Sequence, residues 1–168
     1  MKTQLQHAVL PDATHDEFAR QNFVQSLKVH LATKVSPGNK TIYERRASPR
    51  FQREHQRPPH DRHEVRSVMK NEPYYQMWST LLRTSQEMMW DAVNVSVERQ
   101  LTDLCDRAAT DAAPIGSLTL NPSLETPSYH TGVDIHCQPG GYHTELDAGD
   151  VAAGATYDRG VYIYAMSR

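Results

Sequence analysis

Cysteine is nearly absent. Cys105 and Cys137 are the only two in 168 residues, too few for a disulfide framework and spaced for no CxxC zinc or redox motif. A long apolar run is missing as well: no stretch approaches the roughly 18 apolar residues of a membrane span, and the opening MKTQLQHAVLPDATHDEF lacks the apolar block of a signal peptide. Together these absences predict a protein of the reducing cytoplasm, neither exported nor membrane-embedded. Large aliphatic and Phe side chains are scarce too. Leu, Ile, Val and Phe number 31, under about a fifth of the chain and near the level at which disorder sets in. A net charge of −2 is nevertheless too small for a wholly disordered chain, and the length suits one ordinary domain with unstructured stretches beside it.

Glycine and proline are missing where a helix would not tolerate them. From Tyr74 to Thr110 there is neither, while apolar residues recur at 74, 77, 78, 81, 82, 88, 89, 92, 93, 97, 101, 104, 105 and 108, almost every step being one, three or four. Pro73 suits a first helical turn. This pattern predicts one long helix over about 73–110, some 57 Å if straight at about 1.5 Å per residue, against a radius of gyration of roughly 15 Å for a compact domain of this length. A bend is therefore expected near Asn94-Val95-Ser96-Val97, where helix propensity is low. Met88, Met89 and Trp90 read as core.

Two further helices carry start signals. Thr14 and Glu17 form a capping-box pair ahead of Phe23, Val24, Leu27 and Leu31 at helical spacing, with Ser36-Pro37-Gly38 as a stop, predicting a helix over 16–34. Asp61 and Glu64 repeat the arrangement for a helix to about Asn71. Charge is unevenly placed: Lys40–Lys70 holds nine Lys/Arg against four Asp/Glu, and Asn71–Arg168 five against thirteen. The arginine-rich stretch over 40–60, with three prolines and few apolar residues, reads as an extended basic linker between an N-terminal helix (1–39) and a helical region (61–168). A phosphate-binding arm is the competing reading; with only Tyr43 and Phe51 to stack on bases, nucleic acid is disfavoured.

Histidines, tyrosines and carboxylates gather in the tail. Val133, Ile135 and Cys137 alternate with Asp134 and His136; Pro139-Gly140-Gly141 supplies a turn; Tyr142, Thr144 and Leu146 alternate with His143 and Glu145. A β-hairpin over about 131–147 would bring Asp134, His136, His143 and Glu145 to one face. Such a face suits a two-His, one-carboxylate metal site or an acid/base cluster, and equally the solvated side of a hairpin. Asp147 or Asp150 caps a helix from about Val151, with Tyr157–Gly160 expected to break it before Val161–Met166. The fold expected is mainly α, with one small hairpin. The apolar run into the C-terminus predicts a junction with a further domain.

Three strings, QEMMWDAV (86–93), PGGYHTEL (139–146) and AGATYDRGVYIYAM (153–166), resemble the region preceding the catalytic domain in a group of bacterial class I S-adenosylmethionine-dependent methyltransferases. The resemblance runs from about Ser48 onward. It implies an accessory region beside a Rossmann-like cofactor domain whose strand, glycine-rich turn and helix have no counterpart in this sequence. S-adenosylmethionine would belong to the complete enzyme and not to this chain alone; the implied partners are that catalytic domain or a second copy, with a small-molecule or unknown methyl acceptor. Tyr142, His143, Glu145, Tyr157, Asp158 and Arg159 are the residues it implies as facing substrate or cofactor. The competing expectation is a free-standing helical module that dimerises through its long helix.

Overall fold

A computed structural model describes residues 7, 9–110, 117, 119–134, 136–140 and 149–164. Its helices, in chain order, are α1 (His15–His30), α2 (Gly38–Ile42), α3 (Ser48–His55), α4 (Arg62–Met69), α5 (Pro73–Arg99), α6 (Leu101–Thr110), α7 (Ser128–Gly132) and α8 (Val151–Tyr164), with π-helical turns at Leu31–Val35 and Tyr43–Ala47. The chain is mainly α, as expected. Two compact units divide it, one made of Met1–Gln25 with Gln86–Arg168 and the other of Ser26–Ser85, so the boundaries fall inside α1 and α5. They also divide the charge. The unit Ser26–Ser85 carries twelve Lys/Arg against five Asp/Glu, and the remainder six against fifteen.

In the discontinuous unit, α1 runs antiparallel to α5. Glu17 meets Arg99 and Ser96, and Gln21 meets Ser96 and Ala92, so each turn forward on one helix meets a turn backward on the other. The capping box forms: Thr14 N–H donates to Glu17 Oε2 at 2.8 Å, and Glu17 N–H to Thr14 Oγ1 at 3.3 Å. Val24, Met89, Trp90, Val93, Val97, Leu104, Ala155 and Ile163 form the core, with α6 against α8. The long helix is interrupted at Gln100, not at 94–97. There the Gln100 side chain donates to the Asp12 and Ser96 carbonyls and accepts from Asp12 N–H, which holds the Asp12 backbone against the end of α5. Val95 and Val97 are no obstacle, because burial of Val93 and Val97 outweighs a few tenths of a kcal/mol of propensity.

Two expectations for the tail are corrected. No strand occurs among the described residues, so the hairpin over about 131–147 is not seen. The Asp134 carboxylate accepts from the backbone N–H groups of His136 and Cys137 at 3.0 and 2.8 Å, closing a local turn in place of a ladder, and Cys137 sits at φ 57, outside strand geometry. Residues 141–148, which hold the other arm, lie outside the described residues. α8 also runs unbroken through Gly160. That glycine is buried against the Trp90 ring, where a Cβ would overlap the ring carbons, so close packing offsets its poor helix propensity.

In the unit Ser26–Ser85 the stretch expected to be an extended linker is helical as far as His55. Ile42, Tyr43, Ala47 and Phe51 recur on one side and pack with Val65, Val68, Met69 and Tyr75. Pro49 falls in the first turn of α3, where its missing N–H matters little. Arginine stems are compatible with a helix surface, and two of their heads are engaged: Arg46 and Arg50 reach buried Glu72, and Arg50 also donates to the Val68 carbonyl. At the second capping signal, Asp61 accepts from His63 and Glu64 N–H groups. Glu64 accepts from His60 N–H and from both terminal nitrogens of Arg57. The Arg57 hydrogen bonds and then the His60 N–H hold its carboxyl down at about 2.

Candidate functional site

α1, α5 and α8 are tied together by polar groups inside an otherwise apolar core. Arg159 Nε donates to Gln21 Oε1 at 2.8 Å. Gln21 Nε2 donates in turn to the Ala92 carbonyl at 3.2 Å and to Ser96 Oγ at 3.1 Å. Ser96 Oγ donates to Glu17 Oε2 at 3.2 Å, and Arg99 clasps both Glu17 oxygens at 2.9 Å. The direction of every bond is fixed, since guanidinium groups only donate and a carboxylate only accepts. The Gln21 amide therefore turns its oxygen to Arg159.

Burial makes this chain of bonds demanding. Glu17 is 5% exposed, Gln21 2%, Ser96 0% and Arg159 7%, and a buried polar group without a partner costs about 1–3 kcal/mol. The Arg99 hydrogen bonds, helped by Thr14 N–H and Ser96 against the opposing effect of burial, hold Glu17 down from the ordinary 4.5 to about 2. Burial pushes Arg159 below its usual value, with Tyr162 and Asp158 opposing that shift. Its guanidinium also lies 5.1 Å from the centre of the Tyr162 ring, a cation–π arrangement. The arrangement fixes a desolvated positive charge on α8 by way of α1.

Trp90 joins the remaining pieces. Its indole N–H donates to the His136 carbonyl, as does Gln86 Nε2. This seats the turn that leads into Gln138, buried, and Pro139-Gly140. The opposite edge of the ring faces Gly160.

Three of the expected substrate-facing residues, Tyr142, His143 and Glu145, lie outside the described residues. The other three are consecutive on α8 and do not share a direction. Tyr157 is 51% exposed, Asp158 meets His7 Nε2 at 3.2 Å, and Arg159 turns into the core. Of the metal candidates, Asp134 accepts two backbone N–H groups at Oδ1, His143 and Glu145 lie outside the described residues, and no group of three His, Cys, Asp or Glu side chains converges among the described residues. Gln21 carries no signal in the sequence, and Ser96 reads there only as part of the low-propensity stretch 94–97. Glu17 carried a local signal through its capping box, but its long-range role with Arg99 did not show.

No family model, curated protein or solved structure matches this chain.

Proposed function

We propose that the chain is a helical accessory region of a class I S-adenosylmethionine-dependent methyltransferase, working beside the cofactor-binding domain on its substrate side. One observation carries this: two of the strings that resemble such regions meet in space. Trp90 of QEMMWDAV lies against Gly160 of AGATYDRGVYIYAM, and its indole N–H holds the turn just ahead of PGGYHTEL. Residues 70 positions apart thus belong to one packed unit.

S-adenosylmethionine supplies an electrophilic methyl group when bound. This reading assigns the cofactor to a companion domain that has a strand, a glycine-rich turn and a helix in succession. What this unit supplies is a fixed α8. Tyr157, Val161 and Tyr164 follow at helical spacing on its exposed side, at 51, 42 and 55% exposure, and present an aromatic stripe for that domain or its substrate. The coding sequence following the Arg168 codon provides the test. A frame or adjacent gene encoding strand, glycine-rich turn and helix, whose product co-purifies with this chain and loses it on Tyr157→Ser with Val161→Ser, supports the reading. Absence of any such domain would remove it.

A further inference from the structure

The discontinuous unit also has an open groove between α1 and α5, lined in part by Met88, Asp91 and Ala92 of QEMMWDAV. The groove has a volume of about 590 Å³. Its apolar lining includes Phe23, Met88, Ala92 and Val95, and its charged lining is Arg20 on α1 and Asp91 on α5. Phe23 is 61% exposed and Val95 44%, although covering an aromatic side chain of this size is worth about 1.5–3 kcal/mol.

The charges say what covers it. Arg20 and Asp91 stand on different walls of the groove, and neither is engaged in an ion pair among the described residues. A groove for a foreign acidic or basic partner would carry one sign. Here both signs are present, one on each helix, which is the pattern a two-fold pairing needs: when a surface meets its own copy, residue i contacts j and j contacts i. With α1 of one copy on α5 of the other, Arg20 of each reaches Asp91 of the partner subunit, and both Phe23 rings enter apolar lining. The unit as a whole is acidic, six Lys/Arg against fifteen Asp/Glu, so the two Arg20–Asp91 pairs have to offset like-charge repulsion and the dimer should tighten as salt is raised to screen it. We propose that the α1/α5 groove is a homodimer interface, with Phe23 as its anchor and the two Arg20–Asp91 pairs setting its register. The proposal does not depend on the methyltransferase reading, since no cofactor or companion domain enters it.

Sedimentation velocity on the full chain over a concentration series tests it. The wild type is expected to form a dimer that Phe23→Glu converts to monomer, with an unchanged circular dichroism spectrum because Phe23 is exposed. Arg20→Asp and Asp91→Arg should each weaken the dimer by about tenfold or more, through like charges placed face to face, and the double variant should return toward wild-type affinity. A wild type that stays monomeric at every concentration overturns the proposal and leaves the groove to a different chain. A dimer indifferent to Phe23→Glu, or a double variant no tighter than the singles, overturns it as well.

Discussion

Gly160 lies so close to the Trp90 ring that no side chain can be added between them. This contact decides how α8 seats on α5, because it lets the helix backbone itself pack on the indole. Gly154, six residues earlier on α8, is exposed, and a Cβ there would meet nothing. Gly160→Ala should therefore destabilise by about 1–3 kcal/mol through overpacking, whereas Gly154→Ala should be neutral or stabilise by up to about 1 kcal/mol. Thermal melts followed by circular dichroism separate the two; equal midpoints would mean that α8 does not lie on Trp90.

Acid should loosen the α1–α5 pairing. The Glu17 carboxyl is depressed in the fold to about 2, so its contribution is fully present above the ordinary 4.5 and is lost as pH falls toward 2. Glu64, held at about 2 chiefly by Arg57, loses its contribution over the same interval. Melting midpoints should decline from about pH 4.5 downward. Glu17→Gln should lower the midpoint at pH 7 and flatten the decline, and adding Glu64→Gln should flatten it further. An unaltered acid profile in Glu17→Gln would show that its carboxyl is not the group titrating.

Gln21 and Arg159 should couple. Gln21→Leu leaves Arg159 Nε without its acceptor inside the core and should cost about 2 kcal/mol. Arg159→Met removes the buried ion but leaves Gln21 Oε1 without its donor and should cost about 1–3 kcal/mol, whereas replacing both partners by apolar chains is often nearly neutral. In the double variant most of the Gln21→Leu loss should disappear, giving a coupling of at least about 1 kcal/mol in a denaturant cycle. Strictly additive effects would break the link.

The unit Ser26–Ser85 has its own close contact. The Tyr74 hydroxyl donates to the Val35 carbonyl at 2.8 Å, and its ring covers Gly38. Tyr74→Phe removes only the hydrogen bond and should cost about 1 kcal/mol; Gly38→Ala pushes into the ring and should cost more, about 1–3 kcal/mol. The order of the two midpoints in a melt is the readout, and the reverse order would contradict this packing.

Local chemistry was legible in the sequence, and long-range chemistry was not. Thr14 with Glu17, and Asp61 with Glu64, are short-range capping patterns and appear in the structure as read. The stripe from Tyr74 to Ala108 did announce helix, but its interruption depends on a Gln100–Asp12 contact across 88 residues that no window reveals. The stretch 40–60 was read through its arginines and prolines, which hid the stripe Ile42, Tyr43, Ala47 and Phe51. At Asp134 the alternation favoured a strand, yet a short carboxylate beside free N–H groups closes a turn. Gln21, Ser96 and Arg159 were invisible as a set because buried polar residues look like surface ones until their partners are known.

Titration of S-adenosylmethionine into this chain, alone and then with the companion domain that the proposal requires, bears hardest on the proposed role. The chain alone should show no stoichiometric binding, and the pair should bind one cofactor per complex. Tight one-to-one binding by the chain alone would contradict an accessory role and place the cofactor site within these residues.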